Sequence, residues 1–211
     1  PRPRQGRLTP PTMATELGER GLAAFSVGVF CGSRLGNDPA HRDAAAALGE
    51  AIARRGWRLV YGGGEVGLMG VTARAALSAG GTVLGVITER LLDAEVGKRD
   101  VSELVITATM FERKAILIRE SDAFLALPGG LGTLDEILDV VTLRQLGYHA
   151  KPILLLDLDG YWRACQSLFD QFVAAGFADP EAARLHELVP DAAAALDRLE
   201  RCCADRAGRP G

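Results

Sequence analysis

A glycine-rich run in the sequence ends in two consecutive acids. It reads Pro128-Gly129-Gly130-Leu131-Gly132-Thr133-Leu134-Asp135-Glu136. Glycines let the backbone approach an anion closely, and the free N–H groups at the start of a following helix attract negative charge. A carboxylate one turn into that helix would lie beside the sugar of a ligand whose phosphate is held by the run. The pattern therefore favours a phosphate-bearing ligand, with the acid Glu136 about one sugar ring away from its phosphate.

The same residues also fit a purely structural interpretation. Thr133 and Glu136 have the spacing of a capping box, in which the Glu136 side chain bonds the Thr133 backbone at the helix start. That motif needs no glycines at Gly129, Gly130 and Gly132 immediately before it. We therefore favour the ligand interpretation and expect the Glu136 carboxylate to face an open cleft.

Two other glycine-rich segments follow apolar runs, which makes three such loops. They read Cys31-Gly32-Ser33-Arg34-Leu35-Gly36 and Tyr61-Gly62-Gly63-Gly64-Glu65-Val66-Gly67-Leu68-Met69-Gly70. Three loops of this kind favour a phosphate ligand over turn formation alone. Gly62, Gly64 and Gly67, with Glu89 beyond them, also match the outline of a dinucleotide fingerprint. An NAD-dependent oxidoreductase and a non-catalytic nucleotide-binding protein therefore remain alternatives to an enzyme that uses Glu136.

A basic pair, Arg113-Lys114, opens a predicted helix. Because a cation in the first turn opposes the helix dipole, we expect an anionic ligand to hold the pair there. Charged pairs of this kind are otherwise interpreted as a solvated helix surface. The histidines are scattered, and we interpret His41, His149 and His186 as surface or boundary residues. Carboxylate chemistry is then the main catalytic option.

Short apolar runs alternate with longer helical patterns along the chain. Continuous apolar runs are typical of strands covered on both faces, so the alternation predicts one α/β domain with a parallel sheet. In such a sheet, ligands bind at the carboxyl ends of the strands, where the glycine loops lie. The predicted strands cover 25–30, 58–61, 82–87, 104–107, 123–127 and 152–156, and the predicted helices cover 39–55, 67–79, 111–121, 133–146, 160–175 and 190–203. We predict a flexible N-terminal extension over 1–24, the domain over 25–203 and a flexible tail over 204–211.

The bulk composition excludes several classes of partner. A net charge of −3 and a pI near 5.7 supply no basic field for a nucleic-acid polymer. No run reaches the roughly 18 apolar residues of a membrane span. The cysteines have neither metal-site nor disulfide-framework spacing: Cys31, Cys165, Cys202 and Cys203. We therefore expect a cytoplasmic protein with reduced thiols, bound neither to a membrane nor to nucleic acid.

Four motifs occur together and in order: Cys31-Gly32-Ser33, Tyr61–Gly70, Met110-x-x-Arg113-Lys114 and Pro128-Gly129-Gly130-x-Gly132-Thr133-x-x-Glu136. From Phe25 to about Cys203 the chain resembles the Lonely Guy (LOG) family of cytokinin-activating phosphoribohydrolases, long labelled as possible lysine decarboxylases. The resemblance implies a Rossmann-like fold with helices on both faces of the sheet, and a homodimer. It also implies hydrolysis of N6-modified adenosine 5′-monophosphates, and often of AMP, to the free base and ribose 5-phosphate. No metal and no organic cofactor is expected.

The resemblance also implies roles for individual residues. By position in the matching motifs, Arg113 and Glu136 are the catalytic pair. The predicted substrate contacts, from the resemblance and the glycine loops together, are Gly32, Ser33, Gly63, Gly64, Met69, Glu95, Arg113, Lys114, Gly130, Leu131, Gly132, Thr133, Leu134, Asp135, Glu136 and Thr142. One departure is visible, because the family usually has proline after the third strand, where this chain has Thr88-Glu89. The acid Glu89 has no role in this interpretation.

Overall fold

The computed structural model describes residues 25–95 and 101–207, and the side chains of residues 94, 95 and 203–207 lie outside that description. The predicted extension over 1–24 therefore lies outside the described residues. So does the side chain of Glu95, one of the predicted substrate contacts.

Seven parallel strands of the described residues form one sheet. They are β1 (Ser26–Phe30), β2 (Arg58–Tyr61), β3 (Thr82–Thr88), β4 (Glu103–Thr107), β5 (Ala123–Ala126), β6 (Ile153–Leu156) and β7 (Glu187–Val189). Their order in the sheet is β4-β3-β2-β1-β5-β6-β7. Every residue of β1, β5 and β6 is buried, as expected for continuous apolar runs covered on both faces.

Helices cover both faces of this sheet, which confirms the predicted α/β fold. They are α1 (Pro39–Arg54), α2 (Gly67–Ser78), α3 (Glu89–Glu95), α4 (Met110–Glu120), α5 (Leu131–Gln145), α6 (Arg163–Ala174) and α7 (Ala192–Ala207). Helices α1, α2 and α7 bury apolar side chains in one core cluster, and α4, α5 and α6 bury theirs in the other. None of the helices in the described ranges has the length and apolar character needed to cross a membrane.

The order of the strands determines where the glycine loops meet. Strand β1 pairs with β2 on one side and with β5 on the other. Strands β2 to β4 are added on one side of β1, and strands β5 to β7 are added on the other side. This reversal of direction leaves a crevice at the carboxyl ends of β1 and β5. The loops after β1, β2 and β5 all open onto this edge. They are the three glycine-rich segments of the sequence.

Several elements differ from those predicted. Helix α3 and strand β7 were not predicted, because seven and three residues are too short to show a periodicity. The Thr88 hydroxyl accepts a hydrogen bond from the Leu91 N–H at 3.3 Å, and Glu89 lies in the first turn of α3. An acid there stabilises the helix dipole, which gives Glu89 a structural role. Helix α7 continues to Ala207, four residues into the predicted tail.

His186 is buried, so its interpretation as a surface or boundary residue is wrong. It directly precedes β7, the edge strand that the sequence pattern did not reveal. Its ring packs against Phe169 with centroids 4.8 Å apart. Burial lowers the pKa of this histidine and therefore favours the neutral imidazole.

Candidate active site

The start of α5 forms an anion cradle. Gly130, in an extended conformation, precedes the helix, and none of the described side chains caps it. The intrahelical bonds begin with the Leu134 N–H, which donates to the Gly130 carbonyl at 3.0 Å. The N–H groups of Leu131, Gly132 and Thr133 therefore precede the first intrahelical bond at the positive end of the dipole. This is the geometry that binds a phosphate.

Neighbouring loops hold the cradle in shape. The Gly32 N–H donates to the Pro128 carbonyl at 3.1 Å, which joins the β1 and β5 loops. A side chain at Gly129 would clash with the Thr133 hydroxyl. At Gly130 and Gly132, by contrast, an added Cβ would meet no atom within 4 Å. The glycine at 129 is thus required by packing, whereas Gly130 and Gly132 border open space.

Thr133 and Glu136 do not form a capping box, and that structural interpretation is wrong. Thr133 is the third residue of α5, not the residue before it. The Glu136 side chain turns away from its helix start and places Oε1 3.3 Å from Nη1 of Arg113. A capping box is formed in α4 instead, between Thr109 and Glu112.

Arg113 is buried and held by three partners from separate parts of the fold. Its side chain is only 8% exposed. Nε donates to the Val86 carbonyl at 2.9 Å, and Nη2 donates to the Gly62 carbonyl at 3.2 Å. Nη1 makes the ion pair with Glu136. Any side chain at Gly62 would clash with the guanidinium. These protein partners explain how a cation is accommodated in the first turn of α4. Contact of Arg113 with an anionic ligand stays a prediction.

Lys114 is likewise held by the protein, through two acids of α5. Its Nζ lies 2.7 Å from Oδ2 of Asp139 and 3.1 Å from Oδ2 of Asp135. Two consecutive cations on α4 therefore face two consecutive acids on α5. Arg113 forms an ion pair with Glu136, and Lys114 forms one with Asp135. The hydrogen bond that Lys114 donates to Asp139 raises the pKa of Lys114, so its amine stays protonated.

Burial shifts the titration of Glu136. Its side chain is 12% exposed, and desolvation raises its pKa from 4.5 to about 7. The positive charges of Arg113 and Lys114 act in the opposite direction, while Asp135 and Asp139 add to the rise. Near neutral pH both forms of the carboxyl group are therefore populated. An acid tuned to this range can exchange a proton during a reaction.

Arg113, Asp135 and Glu136 line a cleft of about 270 Å³ at the sheet edge. That volume is close to the lower end of small-molecule sites, roughly 300 Å³. The predicted site residues that line it are Ser33, Met69, Arg113, Gly130, Leu131, Gly132, Thr133, Asp135 and Glu136. Three lining residues were not predicted: Cys31, Leu91 and Met110. Burial of Cys31, with the nearby charge of Glu136, raises the pKa of its thiol. Leu91 could not be found from sequence, because it depends on the short helix α3.

Other predicted contacts lie outside the cleft lining: Gly32, Gly63, Gly64, Lys114, Leu134 and Thr142. Gly32 connects loops, because its carbonyl accepts from the Leu68 N–H at 3.0 Å. Gly63 has a φ of 74° and packs against β3, where an added Cβ would crowd Ile87. Thr142 is exposed on α5, six residues beyond Glu136.

Packing blocks access to two glycines of the dinucleotide fingerprint, Gly62 and Gly67. Arg113 fills the space at Gly62, and the backbone of Ser33 fills that at Gly67. A pyrophosphate needs close access to the backbone at these glycines. The fingerprint also lies after β2, one strand away from the crevice between β1 and β5. Both observations disfavour the NAD-dependent alternative.

Known proteins resemble this chain over most of its length. A family model described as "Possible lysine decarboxylase" matches residues 69–199. A probable cytokinin riboside 5′-monophosphate phosphoribohydrolase of Oryza sativa subsp. japonica is 46% identical over 82% of this chain and 82% of its own. A cytokinin riboside 5′-monophosphate phosphoribohydrolase of Arabidopsis thaliana is 44% identical over 82% of this chain and 79% of its own. The chain belongs to this phosphoribohydrolase family.

Solved structures share the fold of this protein. The molybdenum cofactor binding protein of Rippkaea orientalis superposes with a TM-score of 0.68 at 23% identity, over 87% of this chain and 99% of its own. The Moco carrier protein of Chlamydomonas reinhardtii gives 0.66 at 23% identity, over 86% and 99%. At these identities the likeness concerns the fold alone.

The residues of this protein do not fit lysine decarboxylation, the activity that the description of the family model suggests. Lysine decarboxylation normally uses pyridoxal phosphate attached to a lysine as a Schiff base. Formation of that bond requires a neutral amine. Lys114 lies beside Glu136, but its two carboxylate partners keep it protonated. It is therefore poorly suited to that chemistry.

Proposed function

We propose that the protein hydrolyses the N-glycosidic bond of adenosine 5′-monophosphates, including N6-modified ones, to the free base and ribose 5-phosphate. On a cytokinin nucleotide this reaction releases the active base. The observation that carries the proposal is the Glu136 carboxylate, which faces a cleft beside the free N–H groups of α5. The names of the relatives, which specify the same substrate class, support it.

In this reaction the bond between C1′ and the base nitrogen breaks, and the base leaves with the electron pair. Water adds its oxygen to C1′, and its proton balances the charge on the leaving base. The sugar passes through an oxocarbenium-like transition state. A nearby carboxylate stabilises its positive charge, or acts as a general base on the attacking water. Glu136 has this role. The N–H groups of Leu131, Gly132 and Thr133 hold the phosphate and so bring C1′ toward the acid.

Arg113 supports this acid and does not donate the proton. A guanidinium stays charged throughout the accessible pH range and is a poor acid. Its two carbonyl contacts, to Val86 and Gly62, fix the plane of the group. The ion pair then orients the Glu136 carboxylate. All three partners of Arg113 are groups of the protein itself, so its position is preorganised by the fold.

The pH dependence of the rate follows from the titration of Glu136. The ionised carboxylate is the active form, and its pKa is raised to about 7. We therefore expect kcat/KM for AMP to rise about tenfold per pH unit below this value and to level off above it. The measurement is a pH–rate profile between about pH 5.5 and 8.5.

The phosphate of AMP also titrates, with a second pKa of about 6. The control for this is the pH dependence of AMP binding to Glu136→Gln, which retains the substrate titration but lacks the acid. A rate that is flat across pH 7, or that follows the binding curve of this variant, would contradict the role given to Glu136.

The direct test of the proposed function is incubation with AMP and with isopentenyladenosine monophosphate. Chromatography should show equimolar release of free base and ribose 5-phosphate. Adenosine, which lacks the phosphate, should react far more slowly. Release of no base from either nucleotide would refute the proposal. Thermal stabilisation by NAD and not by AMP would favour the oxidoreductase.

We also propose that the protein is a homodimer, with a cytoplasmic location that keeps its cysteines reduced. Exposed apolar side chains form an α4–α5 surface, defined by Phe111, Leu131 and Leu138, of which the first two are 81% and 86% exposed. Thr142 lies four residues after Leu138 on the same side of α5. A second copy that covers this surface would remove its apolar area from water.

Sedimentation velocity should therefore give twice the chain mass of 22.4 kDa. Leu138→Glu places a charge in the proposed interface and should shift the protein to monomer at micromolar concentration. Phe177→Glu, at an exposed apolar residue after α6, is the control and should leave the mass unchanged. A monomeric wild type would contradict the dimer.

A further inference from the structure

The connection between β6 and α6 is folded so that it delivers one side chain to the anion cradle. The Asp157 N–H donates to the Val189 carbonyl at 2.8 Å, and Oδ1 of Asp157 accepts from the Trp162 N–H at 2.7 Å. Between these bonds, Asp159 has a φ of 49°. Among the described residues, no other residue except glycine has a positive φ. Gly160 follows with a φ of 81°. The tight turn places Tyr161 over the β5–α5 loop.

The hydroxyl of Tyr161 donates a hydrogen bond to the Gly129 carbonyl at 2.7 Å. Its ring is held edge-on against Trp162 and His41, with centroids 5.1 and 5.9 Å away. Nδ1 of His41 in turn lies against Gly36, in the glycine loop after β1. Tyr161 therefore contacts the cradle directly, and through His41 it also contacts the neighbouring loop. Its own side chain lies outside the cleft lining.

This bond determines how the cradle presents its backbone. In a trans peptide the C=O and N–H groups point in opposite directions. Since Tyr161 holds the Gly129 carbonyl, the Gly130 N–H must point away from Tyr161, and Gly130 lines the cleft. The Pro128 carbonyl is held in the same way by the Gly32 N–H. Both carbonyl oxygens that precede α5 are thus turned into protein contacts, where they cannot repel an anion.

We propose that Tyr161 is a positioning residue for the phosphate of the substrate: its hydroxyl fixes the Gly129–Gly130 peptide so that the cradle offers N–H groups only. The inference rests on the proposed function. It assigns to the β6–α6 connection a part in the recognition of the nucleotide, although none of the residues of that connection lines the cleft.

The test is Tyr161→Phe, which removes the hydroxyl and keeps the ring packing. We expect KM for AMP and the calorimetric Kd for AMP to rise by the same factor, about three- to tenfold, as for the loss of one hydrogen bond. We expect kcat to change less than twofold, because Glu136 and Arg113 are untouched. The Kd for adenosine should stay unchanged. The control is Tyr148→Phe, whose hydroxyl makes no hydrogen bond within the described residues and whose loss should alter none of these values.

A merely structural role for Tyr161 would weaken AMP and adenosine binding equally, and that result would overturn the proposal. So would an unchanged Kd for AMP in the variant. Failure of the proposed function has a different signature. It would appear as a wild type that binds AMP no better than adenosine, and it would remove the inference with it.

Discussion

Replacement of Glu136 by Gln is expected to lower kcat for AMP hydrolysis by about a thousandfold or more. Glutamine has nearly the same shape but can neither carry the charge that stabilises the sugar cation nor accept a proton from water. Loss of a main catalytic group removes several kcal/mol of transition-state stabilisation, and each 1.4 kcal/mol is about tenfold in rate. The Kd for AMP should stay within a few-fold of wild type, because the phosphate is held by the backbone of Leu131, Gly132 and Thr133.

The matched control is Asp139→Asn, an acid on the same helix that pairs with Lys114 and faces no substrate in the proposed mechanism. Its kcat should fall by less than tenfold. Single-turnover assays with calorimetry separate the chemical step from binding. A Glu136→Gln enzyme with wild-type kcat would rule out the mechanism.

The second large effect is expected from Arg113→Met. The positive charge of Arg113 lowers the pKa of Glu136, so its removal should raise that pKa further above 7. At neutral pH the acid would then be mostly protonated and also less well oriented. We expect activity at pH 7 to fall about a hundredfold, with the midpoint of the pH–rate profile displaced upward. The measurement is kcat/KM between pH 6 and 9.5.

The stability of this variant should also depend on pH. A carboxyl group whose pKa is higher in the folded than in the unfolded protein keeps its proton on folding. Stability is then lost as the pH rises from about 4.5, the unfolded value, through the folded value. Thermal unfolding of Arg113→Met should therefore show a steeper fall in Tm above pH 7 than the wild type.

Arg119→Met removes an exposed arginine from the same helix and should reproduce neither change. Arg113→Lys keeps the charge but cannot reach both carbonyls in the same planar arrangement, so it should retain the pKa of Glu136 better than it retains the rate. A midpoint that is unchanged in Arg113→Met would contradict the coupling between the two residues.

The sequence predicted the central sheet well, because apolar runs such as Ile153–Leu156 are buried on both faces and admit few other structures. It predicted the cradle for a similar reason, since glycines before a helix have a specific chemical use. It could not show which of two Thr-x-x-Glu segments forms a capping box. Thr109 and Glu112 form a capping box, whereas Thr133 and Glu136 do not. The difference arises because α5 begins at Leu131, two residues earlier than predicted, so Thr133 lies inside the helix and not before it.

The partners of Arg113 could not be predicted for a related physical reason. Val86 and Gly62 lie 27 and 51 residues away in sequence, and their carbonyls carry no side-chain signal. The pair Arg113-Lys114 therefore resembled a cation in need of a ligand. Tyr161 was missed as well, because its contact depends on the unusual turn at Asp159 and Gly160.

The glycine at position 62 has a consequence for how this catalytic centre could change. The room for the guanidinium exists only because no side chain occupies that position, and the arginine, once seated there, is part of the scaffold and not a movable arm. A single methyl group added at Gly62 would meet the guanidinium directly and dislodge the pair. The charged pair of the cleft therefore depends on a position that has no side chain of its own.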